Sequence, residues 1–147
     1  MYLVDTSVWI DYLRGRDVPH VHFLDELLAN PLAVGISDLI YLEVLQGAIN
    51  ARAFEKLRQY FSGQRFYRFA DAEASHANAA KLYLEARRAG ITVRSNLDCL
   101  IAQCAIDQSL ILLHNDLILL HNDVDFVRLG AVVSGLKQQH FLPPTKP

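Results

Sequence analysis

Seven carboxylic acids stand where apolar runs of the sequence stop. Asp5 closes Tyr2-Leu3-Val4, Asp38 and Glu43 follow Leu32 to Ile36, Asp98 opens an apolar helical stretch, and Asp116, Asp123 and Asp125 follow the last aliphatic runs. In open α/β sheets ligands bind beyond the carboxyl ends of the strands, so acids at these positions can be gathered at one edge. Carboxylates crowded together repel unless something cationic joins them. Hard oxygen donors without paired Cys or His suit Mg²⁺ or Mn²⁺, which take a few carboxylates and keep several waters. Such an ion polarises a phosphoryl oxygen and acidifies a bound water, which is chemistry for cleaving a phosphodiester. Each acid also has a simpler reading. Asp5 and Asp98 fit the positive ends of helices, worth about 0.3–1 kcal/mol each; Glu43 fits a solvated helix face and Asp125 a helix cap. From the residues alone both readings stand.

The elements that would position these acids follow from pattern. Tyr2-Leu3-Val4 reads as a strand, and Thr6-Ser7 as the cap of a helix through Val8, Trp9, Tyr12 and Leu13. After Gly15, a second helix carries Phe23, Leu24, Leu27 and Leu28 and ends at Asn30-Pro31, and residues 32–36 form a buried strand. Ser37 caps a helix closed by Gly47, residues 51–61 form another, and 66–69 alternate as a third strand. A long alanine-rich helix spans 71–89 before Gly90, and a polar turn leads into a helix from Leu97 to Gln108. Strands alternating with helices predict an α/β fold: a three-layer domain whose mostly parallel central sheet is flanked by helices.

Composition bounds the rest. The chain has 147 residues, 52% apolar and 20% charged, with 14 Lys and Arg against 16 Asp and Glu. This predicts one globular domain over 1–147, with a short Pro-rich tail from about 142, and excludes a disordered acidic or basic segment. The apolar runs are broken well before the roughly 18 residues a membrane span needs, and no basic-apolar leader follows Met1, so the expectation is a cytoplasmic protein without membrane contact. Cys99 and Cys104 fall in no metal-binding spacing and read as buried thiols that are not disulfide-bonded. The near-neutral charge rules out a uniformly basic nucleic-acid footprint, so any contact with nucleic acid must be local.

Four motifs, taken in order, are specific together. Val4-Asp5-Thr6-Ser7-Val8-Trp9-Ile10, Glu43-Val44-Leu45-Gln46-Gly47, Arg94-Ser95-Asn96-Leu97-Asp98-Cys99-Leu100-Ile101-Ala102 and Leu120-His121-Asn122-Asp123-Val124-Asp125-Phe126 resemble PIN-domain ribonucleases of the VapC toxin type. The likeness spans nearly the whole chain and implies a PIN-like (5'-nuclease-like) fold. It implies an endoribonuclease dependent on Mg²⁺ or Mn²⁺, acting as the toxin of a type II toxin-antitoxin pair. It further implies a homodimer, a cognate VapB-type antitoxin, and tRNA or rRNA as substrate. Asp5, Glu43 and Asp98 correspond to the family's first three metal-site acids, and the His-Asn-Asp-Val-Asp-Phe segment supplies a fourth. In chemical terms Asp5 and Asp98 would bind the ion, Glu43 would orient or deprotonate water, and Thr6 would bond a carboxylate or a phosphate oxygen.

One feature departs from the family's pattern. Leu110-Ile111-Leu112-Leu113-His114-Asn115-Asp116 recurs without change as residues 117–123. Asp116, 18 residues after Asp98, suits a helix and a returning strand of equal length. Asp123 runs directly into Val124-Asp125-Phe126, and seven extra residues are close to two helical turns, so a lengthened helix would keep its buried face. The expectation is Asp123 as catalytic and metal-binding acid, with Asp116 the alternative register and His114 and His121 as polar strand-end residues. If neither register closes the sheet, the chain becomes a weakened or inactive PIN domain that binds RNA or the antitoxin.

Ten of the 14 basic residues are Arg, the side chain suited to bidentate phosphate contacts. Arg87, Arg88 and Arg94 surround the turn leading to Asp98 and are the expected RNA-positioning group, with the alternative that they complement a helix dipole. Tyr12 beside Arg14 offers a ring on which a base can stack.

Overall fold

Tyr2–Val4 forms β1, which leads through Asp5 into α1 (Thr6–Leu13) and α2 (Pro19–Leu28). β2 (Val34–Ser37) is followed by α3 (Asp38–Gln46) and α4 (Ala51–Ser62), and β3 (Arg65–Tyr67) by α5 (Ala72–Arg88) and α6 (Asn96–Asp107). β4 (Ile111–His114) and β5 (Lys137–His140) complete the sheet. This computed structural model describes residues 1–90, 93 and 95–114, with the backbone of 137–140.

The helices start where short polar side chains can satisfy free amides. Ser37 accepts from Ile40 N at 3.3 Å, Asn50 from Ala53 N at 2.8 Å, Asp71 from Ala74 N at 3.0 Å and Ser95 from Leu97 N at 3.2 Å. At α1 the cap is Asp5 rather than Thr6-Ser7: its carboxylate accepts from both Ser7 N and Ser7 Oγ. Thr6 is thereby the first helical residue, and its hydroxyl is available for another partner. The strand expected at 32–36 lies at 34–37, and that expected at 66–69 lies at 65–67.

All five strands are parallel, in the order β3-β2-β1-β4-β5. The chain therefore winds outward from β1 to β3 and then returns to the other side of β1. By the right-handed crossover rule this reversal puts α1 to α4 on one face and α5 and α6 on the other. A tight turn at Ser109, with φ +53°, sends the chain from α6 back into β4, held by Leu110 N to Ala105 O at 2.8 Å. α6 and β4 thus run in opposite directions, and the first turn of α6 falls on the side of the carboxyl end of β4.

Leu3, Val4, Ile36, Leu112 and Leu113 are fully buried in the central strands, with Trp9 and Phe61 packed beside them. The Trp9 ring meets Phe61 edge-on at 5.0 Å, closing the seam between α1 and α4. β2 passes β3 closely because Gly35 has no side chain: a Cβ there would lie 2.3 Å from the Tyr67 ring. One charge is buried on purpose. Asp11 of α1 meets His20 Nε2 of α2 at 2.7 Å and Arg16 at 3.1 Å, with its side chain 2% exposed, so a buried hydrogen bond ties the first two helices together. Cys99 and Cys104 are buried thiols not joined in a disulfide. Burial pushes the Cys104 thiol up to about 12, so it stays protonated. Among the described residues no helix is long and apolar enough to cross a membrane.

Candidate active site

The topology reverses between β1 and β4, and such a switch point leaves a crevice at the carboxyl edge of the sheet. Asp5 follows β1 there, with its amide donating to Leu113 O at 2.9 Å, and His114 ends β4 beside it. Val4 and Leu113 are register partners, so Asp5 and His114 are the next pair along. His114 is 0% exposed, and its electrostatic attraction favours the Asp5 carboxylate. Asp5 and Glu43 are half-buried at the rim.

Glu43 arrives from the second turn of α3. Thr6 Oγ1 donates a hydrogen bond to Glu43 Oε2, tying α3 to the start of α1. Ser7 Oγ donates to Asp5 Oδ2 at 2.9 Å. Two consecutive hydroxyls therefore orient two acids that are far apart in sequence. Loss of solvation raises the Asp5 carboxyl above its ordinary range, partly opposed by the Ser7 hydrogen bonds and by His114. Glu43 is raised first by loss of solvation and then by the nearby charge of Asp5, while the Thr6 hydrogen bond pulls it down. Glu43 thus feels the charge of Asp5.

The other predicted residues distribute as follows. Asp98 sits half-buried in the first turn of α6. Asp38 is turned aside: both its oxygens accept from Arg68 Nε at 3.1 Å. Arg87 and Arg88 form the exposed last turn of α5, and α5 and α6 pack together with this turn beside the start of α6. Arg94, Asp116, Asp123, Asp125 and His121 lie outside the described residues. Among the described residues no three His, Cys, Asp or Glu side chains stand close enough to hold one ion between them. The donors that do meet are carboxylate and hydroxyl oxygens. One or two carboxylates with water completing the shell is the arrangement Mg²⁺ prefers, so the donor set fits Mg²⁺ or Mn²⁺.

The tandem repeat resolves in one respect. α6 ends at Asp107 and the first copy, not the second, supplies β4, so the lengthened helix that favoured Asp123 is not formed. The positive φ of Ser109 breaks the helix there. Sequence reasoning missed how closely His114 meets Asp5; the signal was its place one residue past the apolar run, opposite the end of β1.

A doubly wound parallel sheet with Asp5 and Glu43 brought together at its switch point defines an α/β domain with an acidic carboxyl edge. The chain belongs to the PIN-domain family, whose sequence profile matches residues 2–132. It is 36% identical over 117 residues to VapC ribonuclease Mb1587 of Mycobacterium bovis, covering 79% of this chain and 87% of that protein. The same figures hold for ribonuclease VapC11 of Mycobacterium tuberculosis. In three dimensions it is similar to VapBC2 of Rickettsia felis bound to a promoter DNA fragment, with a TM-score of 0.69 and 21% identity over 95% of this chain and 98% of that one.

Proposed function

We propose that this chain is an endoribonuclease toxin of the VapC type that hydrolyses RNA phosphodiester bonds at the edge carrying Asp5, Glu43 and Asp98. The observation that carries the reading is the bond from Thr6 to Glu43 beside Asp5, which brings acids from β1 and α3 together at the switch point. The ribonuclease relatives support the same reading.

Asp5 and Asp98 are the residues that would hold Mg²⁺ or Mn²⁺, and the ion supplies polarisation of the phosphoryl group and a more acidic water. Glu43 holds the proton taken from the attacking water. Its raised affinity for protons suits that task better than an ordinary carboxylate does. Thr6 fixes the Glu43 carboxylate, and Ser7 fixes Asp5, so neither acid must reorganise when substrate arrives. The remaining acid is Asp116, because the first copy of the repeat forms β4 and Asp116 follows His114 by only two residues. Arg87 and Arg88, with Arg94, position the RNA backbone, whereas the Thr6 proton, expected to be open to a phosphate oxygen, is committed to Glu43. The chain acts in the cytoplasm as a homodimer and is held inactive by a VapB-type antitoxin; that partner is supported by the toxin-antitoxin complexes among its structural neighbours.

RNA cleavage by the wild type, Asp5→Asn and Asp98→Asn, with and without Mg²⁺, tests this reading. Metal-dependent cutting that both substitutions abolish is expected; identical behaviour of all three proteins would overturn it.

A further inference from the structure

The antiparallel pair α5 and α6 leaves a cleft of about 620 Å³ between them, within the range of small-ligand sites. Ala79, Val93 and Leu100 make its apolar floor, and His76, Tyr83 and Asn96 stand around it. Tyr83 is 38% exposed, and the Arg87 guanidinium lies 5.8 Å from its ring centroid. An aromatic face backed by a guanidinium is a stacking platform, since every base offers a π-face to it. Asn96 is exposed, and its amide both donates and accepts. His76 Nδ1 donates to Ala72 O at 2.6 Å.

We propose that this cleft is a specificity pocket for one base of the RNA next to the bond that is cut, with Tyr83 as the stacking surface and Asn96 as the reader of the base edge. The inference rests on the ribonuclease reading. It deepens that reading because Asn96 and Asp98 both belong to the first turn of α6, about 200° apart around its axis, so a base held in the cleft lies across the width of one helix from Asp98. A single-stranded RNA is favoured over a protein segment by this pairing of an exposed ring and guanidinium with polar groups of both hydrogen-bonding senses. The site requires unpaired nucleotides, since bases in a duplex cannot present a face to Tyr83.

The test measures binding of four fluorescein-labelled homopolymeric oligoribonucleotides by anisotropy in EDTA, alongside cleavage of a mixed-sequence RNA with Mg²⁺. Tyr83→Ala is expected to weaken the preferred oligonucleotide about tenfold and raise KM similarly with kcat little changed, while Tyr83→Phe stays within about twofold. Asn96→Ala is expected to level the differences among the four oligonucleotides. Wild-type affinity and wild-type base preference in both Tyr83→Ala and Asn96→Ala would overturn the pocket, whether or not the protein cuts RNA. Unchanged RNA binding with a changed oligomeric state in Tyr83→Ala would overturn it in favour of a protein contact. Tyr83-dependent binding without any metal-dependent cleavage would instead sustain the pocket and overturn the nuclease.

Discussion

Thr6 donates its hydroxyl to the carboxylate of Glu43, 37 residues further along the chain. The bond is possible because Asp5, not Thr6, caps α1. It lowers the proton affinity that burial and Asp5 raise at Glu43, and so sets where the proposed general base becomes ionised.

Removing that donor should therefore move the acid limb of the activity profile upward. Thr6→Val is expected to shift the acid limb of kcat toward higher pH, with activity on that limb below the wild type's. Thr6→Ser, which keeps the hydroxyl, should restore the wild-type profile. A profile of unchanged position in Thr6→Val would remove Glu43 from the role of base.

The Asp5 and Glu43 carboxyls are both raised in the folded chain, which consequently binds their protons more tightly than the unfolded chain does. The stability they contribute is fully present below the ordinary carboxyl range and is lost as pH rises through the raised values. Asp5→Asn removes one such group. Thermal melts across that window should show a smaller decline with pH for Asp5→Asn than for the wild type, and added Mg²⁺ should stabilise only the wild type. Parallel curves, with equal response to the ion, would contradict the site.

The two copies of the repeat are separable by mutation. Asp116→Asn is expected to reduce cleavage on the order of 100-fold or more, since even outer-sphere changes at metal sites cost 10–100-fold, while Asp123→Asn leaves most activity. The reverse ranking would assign the acid to the second copy.

Asp11 is a different kind of acid, buried against His20 and beside Arg16. His20→Ala leaves a charge without its inter-helix partner and should cost about 3–5 kcal/mol in urea unfolding. Replacing both Asp11 and His20 by Ala should recover part of that loss, because the charge goes with its partner. Additive costs would mean the pair is not coupled.

Local signals made much of this molecule readable. Ser37 and Ser95 cap helices where short polar residues precede apolar periodicity, and Asp5 marks the end of β1 because an apolar run stops there. What was not legible involves partners from elsewhere in the chain. Asp11 lies between Ile10 and Tyr12, and only α2 shows that His20 covers it. Asp38 follows its strand as well as Asp5 does, yet Arg68, 30 residues away, takes both its oxygens. β5, Lys137–His140, joins the sheet although its sequence lacks apolar alternation. Its backbone pairing with β4 places it, which side-chain pattern does not reveal. The register of the repeat was equally closed to sequence, because identical copies carry identical propensities and only pairing with β1 tells them apart.

Since the copies are identical, excising residues 110–116 or residues 117–123 produces one and the same polypeptide. In that shortened chain the run that forms β4 continues straight into Val124-Asp125-Phe126, so a single aspartate answers to both registers. Its turnover against the full-length chain is a direct measure of what the duplication has done to the enzyme: equal rates would make it a silent insertion, and a faster deletant would make it a brake written into the gene.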